Sequence, residues 1–493
     1  MNVVDVVIIA GYLLLTVTVG IRCGGSQVDD VEYFTGGFSG AATSPLRRWL
    51  AVLIVGLSIG ATFFSGISML AYPSQGYTSG VPIALVVTVL PLMAVVIVRW
   101  FLPRFFAHAH KQPYAIIEQR MGYPVRAVAA GMYVLLRIGW MSVLIYAPVL
   151  AIMAAAQLDD RWFWPLILII GISSTLYTTL GGLRGVLVTD AIQFLVMAAG
   201  VAGPIVLILL DESFDYDLAV KFLHDQNRLN WLNFSLDPTE KFTVWSVLAG
   251  IGVAQLGVAV ADQMSIQRYL AAGNLQESRR AFLLNTIGVV VVIAALILLG
   301  VLLSVWYGLH PADVPAQKPD YVFPTFVTQN MPPGVSALIF AAILAATMSS
   351  MTSGIISLAG SLTMDFAARW PRYADPVARL QFARRAAVVL GLSATGLAGV
   401  VKELGEIFDV AQAVLGVFLG PLLVCMGWAV SQQPVRPRMM LLGMLAGCVT
   451  GWVTAFSAVT SLWIAPVSAA TTLSIAAVGL LFPQPESFQD QSA

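Results

Sequence analysis

Charge is what this sequence has least of. Only 11% of its 493 residues are Asp, Glu, Lys or Arg, against roughly 25% in an ordinary soluble domain. The 26 basic and 26 acidic residues cancel and no basic tract occurs, which argues against a nucleic-acid partner; no obligate protein partner is evident either. Cysteine is nearly absent as well: Cys23, Cys425 and Cys448 have no spacing of a disulfide framework or zinc site. Of four histidines, His108 and His110 sit in a charged loop, His224 in a polar one and His310 beside Pro311, so they read as solvated or interfacial. There is no Walker loop, no G-x-S-x-G and no H-E-x-x-H, and the glycines of 181–185 make a short turn rather than a phosphate cradle. An enzyme is not expected.

What remains is apolar. Hydrophobic residues make up 58% of the chain and the mean hydropathy is +0.84, so the lipid bilayer is its solvent. Apolar runs of about 20 residues mark thirteen expected spans: 3–21, 49–72, 80–101, 127–156, 162–180, 187–210, 244–261, 282–307, 335–364, 384–401, 407–430, 438–456 and 462–482. Nineteen Lys and Arg residues fall in one alternating set of loops and six in the other, with Arg137 left inside a span. The positive-inside rule then puts the N-terminus outside and the C-terminus in the cytoplasm of a multi-pass plasma-membrane protein. The first span carries Asp5 but no leading Lys or Arg, and no A-x-A site follows it. It is expected to stay on the protein as an outlying helix rather than leave as a signal peptide.

Inside that apolar background one stretch is rich in oxygen. Thr347, Ser349, Ser350, Thr352 and Ser353 crowd into seven positions of an apolar segment, and Ala346, Ser349, Ser350 and Ser353 share one helix face. Oxygen without His or Cys suits a hard cation. The competing reading is close helix packing, with hydroxyls bonded back to their own helix. Two other spans look interrupted: 49–72 carries Gly56, Ser58, Gly60, Thr62 and Ser65-Gly66, and 244–261 carries Gly250, Gly252, Gln255 and Gly257 before Asp262. Each opens a run of five spans. Interrupted helices at matching places in two halves point to an inverted-repeat transporter with its sites near the midplane.

Three longer runs carry a resemblance. YTTLGGLRGVLVTDAIQFLVMAAG (177–200), DQMSIQRYLAAGN (262–274) and AAILAATMSSMTSGIISLAGSLTMDF (341–366) resemble the signature segments of the sodium:solute symporters, which include the sodium-glucose, proline and sialic acid carriers. The resemblance implies an all-α polytopic protein with a LeuT-type core of five plus five inverted-repeat helices. The layout would be an extra helix and cytoplasmic loop (1–48), a first repeat (49–210), an outer loop (211–243), a second repeat (244–430), and two further helices with a short tail (431–493). It implies Na+ as the coupling ion, held by the carbonyls of Ala61, Phe64 and Ala346 and the hydroxyls of Ser349 and Ser350. A second sodium would use Asp190, Ser349, Thr352 and Ser353. Asp190 could instead be an interfacial carboxylate near Arg184, but a carboxylate inside a membrane bundle is a functional candidate by default. Asp262 would either line the inner path or cap the next helix, and Arg137 would be a structural partner for a helix end or an inner-path carboxylate, or else touch the solute.

By the same analogy Ser65, Ser68, Trp140, Gln255 and Gln412 would face the solute. Trp140 stands where a sialic acid carrier would have a carboxylate-binding Arg, which argues against sialic acid. The solute is then a small neutral or monoanionic organic molecule, either a sugar or a small carboxylate. The function expected is sodium-coupled uptake by alternating access. Its rivals are a proton-coupled symporter on the same fold, with Asp190 titrating, and a sensor or channel that does not pump.

Overall fold

All regular structure among the described residues is helical, as hydrocarbon demands of spanning segments that do not close a barrel. The computed structural model describes residues 2–24, 27, 29–35, 57, 61, 64–107, 114–212, 214–271, 274–310, 318–431 and 433–481. The sequence features at Arg47, Arg48, Gly56, Ser58, Gly60, Thr62, His108, His110 and Lys111, and the tail after Pro483, lie outside the described residues. In chain order the main helices are α1 (Val3–Gly24), α2 (Asp30–Thr35), α3 (Gly66–Ser79), α4 (Val81–Ala107), α5 (Tyr123–Ala156), α6 (Phe163–Leu210), α7 (Val244–Val260) and α8 (Gln263–Ala271). They continue with α9 (Leu275–Leu309), α10 (Val322–Asn330), α11 (Val335–Ser361), α12 (Pro376–Val401), α13 (Ile407–Ser431), α14 (Pro437–Ala455) and α15 (Ile464–Val478). Ten helices of the described residues are long and apolar enough to cross a membrane. One of these, α6, is two spans in succession, because Gly182 adopts φ 57° and ψ −165° inside it, a conformation L side chains avoid.

The described chain falls into two compact units. The first comprises residues up to Val87, Arg137–Asn233 and Asn285–Ala411; the second comprises Thr88–Leu136, Phe234–Leu284 and Gln412 onward.

In the first unit, glycine sets the helix spacing. Gly20 and Gly24 of α1 and Gly181 and Gly185 of α6 form two small-x-x-x-small pairs that face each other. A Cβ on Gly24 would lie 2.5 Å from Gly181 Cα, and one on Gly181 would lie 2.6 Å from the Gly20 carbonyl oxygen. Without a hydrophobic drive between helices in lipid, such backbone approach is what holds them. Farther along α6, a reciprocal pair does the same with α12: Gly171 faces Thr395 and Gly391 faces Thr175. Each threonine keeps its hydroxyl on its own helix, bonding Gly171 O and Gly391 O at 2.7 Å. The far end of α1 is pinned by charge. Buried Asp5 accepts from Gly334 N at 2.9 Å and Ser336 Oγ at 2.8 Å, so it caps α11 and satisfies amides that the helix cannot.

In the second unit the run 244–261 differs from expectation. The helix α7 holds through its glycines, with one π turn at Val247–Ile251, and breaks only at Ala261–Asp262. Its glycines are needed for packing instead: a Cβ on Gly250 would lie 2.8 Å from Leu462 Cβ, and one on Gly257 2.8 Å from Leu419 Cβ. The break sits where side chains can satisfy it. Tyr114 and Tyr269 donate their hydroxyls to the Ala261 and Ala259 carbonyls at 2.6 and 2.9 Å. Asp262 accepts from Met264 N at 2.8 Å, which starts α8.

The glycine contact yields a prediction. Gly24→Ala should destabilise the protein by about 1 to 3 kcal/mol, the usual cost of overpacking, whereas Gly11→Ala, on the same helix with open space around it, should not. Thermal melting of the two purified variants in detergent decides; equal melting temperatures would refute the close-contact account.

Candidate functional site

The helix α3 begins abruptly. Ser65 is extended, at φ −139° and ψ 142°, and acts as N-cap with its Oγ 3.5 Å from Ser68 N. Phe64 is non-helical as well, its amide bonded to the Ala61 carbonyl at 3.2 Å. The run 49–72 is therefore interrupted at Phe64–Ser65, within a segment long enough to span. Gly66 permits this: a Cβ there would overlap the Thr347 hydroxyl and lie 3.1 Å from Thr347 Cβ, so only glycine lets α3 start against α11. Thr347 is locked from its other side, donating to Leu144 O of α5 at 3.2 Å.

That close approach joins two of the expected primary ligands. Ser350 Oγ donates to the Phe64 carbonyl at 3.3 Å, one turn from the Ala61 carbonyl that receives Phe64 N. Ala346 and Ser349 are buried on the same face of α11. Thr352 bonds back to Ser349 O at 3.0 Å. Both readings of the hydroxyl stretch are thus present: Thr352 serves its own helix, while Thr347 and Ser350 reach across to other elements. The ring of Phe64 turns the other way, edge-on to Phe194 at 5.9 Å, beside an apolar cavity of about 310 Å³ lined by Ala198, Val201, Ile205, Val291 and Val292. Its carbonyl side is polar and its ring side is not.

Asp190 is buried in the second half of α6. Its neighbours are the tyrosines Tyr12 of α1 and Tyr177, and Tyr177 lies beside Thr352 and Gln193. The structure therefore links Asp190 through Tyr177 to Thr352 of the expected second set. Sequence reasoning missed Tyr12, Tyr177 and Gln193, and named Gly66 only as part of an interrupted span. Gln193 was within reach of it, since it stands three residues after Asp190 on the same helical face; Tyr12 gave no signal among the apolar residues of α1. Of the expected solute contacts, Ser65 and Ser68 meet at the start of α3. Trp140 is half-buried on the α5 part of the first unit, and Gln255 and Gln412, also half-buried, belong to the second unit.

Acidic groups gather in the first unit where α3, the Pro319–Tyr321 turn and the start of α13 meet. Asp320 accepts from Ile407 N at 3.0 Å, beside Ser74 of α3 and near Glu406 and Asp409. Glu406 in turn accepts from Gln75 of α3 at 2.9 Å. Burial pushes the Asp320 carboxyl up to about 6, against the hydrogen bond from Ile407 and the nearby Ser74 hydroxyl and with help from the negative Glu406 and Asp409.

The sodium:solute symporter family model matches residues 47–451. Among curated relatives, the human sodium-coupled monocarboxylate transporter 1 is 26% identical over 459 residues, covering 91% of this chain and 73% of that one. The human sodium/iodide cotransporter is 26% identical over 480 residues, with coverage of 94% and 69%. A putative sodium-dependent multivitamin transporter of Drosophila melanogaster is 26% identical over 432 residues, with coverage of 85% and 69%. Among solved structures, a Na+-coupled sialic acid symporter in a substrate-bound, outward-open state superposes with a TM-score of 0.83 at 21% identity, over 98% of both chains. That likeness places the fold among LeuT-type transporters.

Two measurements test the geometry. Ser350→Ala should raise the sodium concentration needed for half-maximal 22Na+ binding by about tenfold, the loss of one oxygen ligand; an unchanged value would remove Ser350 from the site. Asp320 binds a proton more readily folded than unfolded, so its contribution to stability is present below about pH 4 and is lost as pH rises through about 6. Its full size is on the order of 2 to 3 kcal/mol. Melting temperature should fall between pH 5 and 7.5 in the native protein, and Asp320→Asn should flatten that slope.

Proposed function

The chain belongs to the sodium:solute symporter family, and we propose that the solute its sodium gradient drives is a small, singly charged anion, with short monocarboxylates the class that fits best. The observation that carries this reading is the break at Phe64–Ser65. On one side it offers the Phe64 carbonyl, next to the Ser350 hydroxyl, to a cation. On the other it presents the first turn of α3, whose amides and helix dipole favour negative charge. One interruption can thus serve a cation and an anion at once, as half-helix ends do in transporters of this architecture. Monocarboxylate and iodide, named for the relatives above, share a single negative charge and little polar surface. Both suit recognition by a helix end, without the guanidinium that Trp140 replaces.

The proposal includes the finer layout. Thirteen spans cross the plasma membrane with the N-terminus outside, residues 49–210 and 244–430 form the two repeats, and the solute path adds Trp140, Gln255 and Gln412 to Ser65 and Ser68. Coupling to two ions, the second at Asp190, Ser349, Thr352 and Ser353, would carry one net positive charge inward per monoanion. Each charge moved across 100 mV supplies about 2.3 kcal/mol.

Uptake into proteoliposomes tests the class of solute. With an inward sodium gradient, labelled lactate or iodide should accumulate, labelled glucose should not, and the anion signal should vanish when potassium replaces sodium. Sodium-driven glucose uptake without uptake of either anion would overturn the proposal.

A further inference from the structure

In the first unit a group of buried polar atoms is only loosely paired, with partners in reach but poorly aligned. Gln193 and Tyr177 are fully buried, and the hydroxyl of Tyr12 is enclosed although its ring is not. The Tyr12 hydroxyl has Thr16 and the Gln193 amide within reach, and the Tyr177 hydroxyl has Thr352 and the same amide. Even so, Tyr12 Oη, Tyr177 Oη, Gln193 Nε2 and Gln193 Oε1 make no well-aligned hydrogen bond to any described residue. Poorly aligned polar groups are unfavourable in hydrocarbon. A buried water needs two to four polar partners, and four loosely paired atoms within one cluster can supply them.

The cluster borders the expected second ion set. Asp190 and Thr352 are its neighbours on one side, and α1 closes the other with Tyr12. Gly20 seats the contact, since a Cβ there would lie 2.6 Å from the Tyr177 ring. A hard cation bound by oxygen takes about six ligands, whereas Asp190, Ser349, Thr352 and Ser353 are four residues. Water can supply the balance, and such water must itself be held.

We propose that Tyr12, Tyr177 and Gln193 enclose a hydrated compartment that holds the water ligands of a sodium ion at Asp190, so that the first helix is part of the ion site. This rests on the second-ion reading given above. In it Gln193 and the two tyrosines are positioning residues: they touch water, and water touches the ion. The added helix α1 then has a task beyond packing. Its glycines bring Tyr12 up to α6, and its Asp5 fixes its other end on α11.

The test uses the full chain in nanodiscs, with 22Na+ alone as the probe. The native protein should bind two ions and Asp190→Asn one. Gln193→Leu should keep two but bind the second about tenfold more weakly, and Tyr12→Phe should weaken it less, as loss of an outer partner does. Radiolytic hydroxyl-radical footprinting of the native protein supplies a readout independent of any variant. Bound water should label Tyr177 faster than Tyr307, which is equally buried and whose hydroxyl donates to Val322 O. If the native protein binds one ion, or Asp190→Asn still binds two, the second-ion reading is wrong and the compartment's role falls with it. If Asp190→Asn drops to one ion while Gln193→Leu and Tyr12→Phe bind as the native protein does, or if Tyr177 labels no faster than Tyr307, the second ion stands and the hydrated compartment is wrong.

Discussion

A helix broken inside a membrane frees backbone oxygen and nitrogen that lipid cannot satisfy. At Ala261–Asp262 this protein closes that account with its own side chains: tyrosine hydroxyls on the carbonyls and an aspartate on the amide. At Phe64–Ser65 the closure is looser. Among the described residues the Phe64 carbonyl receives a 3.3 Å hydroxyl from Ser350, and the Ser65 cap is 3.5 Å long. A break sealed by strong bonds is architecture, and one sealed by weak bonds is available to a ligand. That difference between the two interruptions organises the functional reading.

Availability at Phe64 depends on how near α3 and α11 can come. Gly66 has no Cβ to strike Thr347, and Thr347 is held from behind by Leu144 O. The same device recurs where α1 meets α6 and where α6 meets α12. Packing by glycine gives rigid spacing without a hydrophobic drive. It also explains why hydroxyl residues are abundant in these helices without all being ligands: Thr175 and Thr395 fill the hollow opposite a glycine and bond back to their own helix.

Polar groups in the first unit thus sort by what satisfies them. Thr175, Thr395 and Thr352 donate within their helices, Asp5 and Thr347 bond between helices, and Tyr12, Tyr177 and Gln193 are paired only loosely. The last set lies against Asp190, where an ion with its water would complete it.

Composition and local pattern determined the solvent, the helical class, the oxygen-rich stretch on α11 and the break before Gly66, because each follows from a run of neighbouring residues. The family likewise was legible, since its three runs are contiguous. Tertiary structure alone decided which hydroxyls leave their helix: Ser350 and Thr352 look alike in sequence, yet one reaches Phe64 and the other folds back. It also decided that the glycines of α7 serve packing and that its helix yields only at Asp262, where the distant Tyr114 and the nearby Tyr269 meet the freed carbonyls. Tyr12 gained its place only when α1 docked on α6. A side chain's partners across helices depend on contacts hundreds of residues apart, and no periodicity within one helix records them.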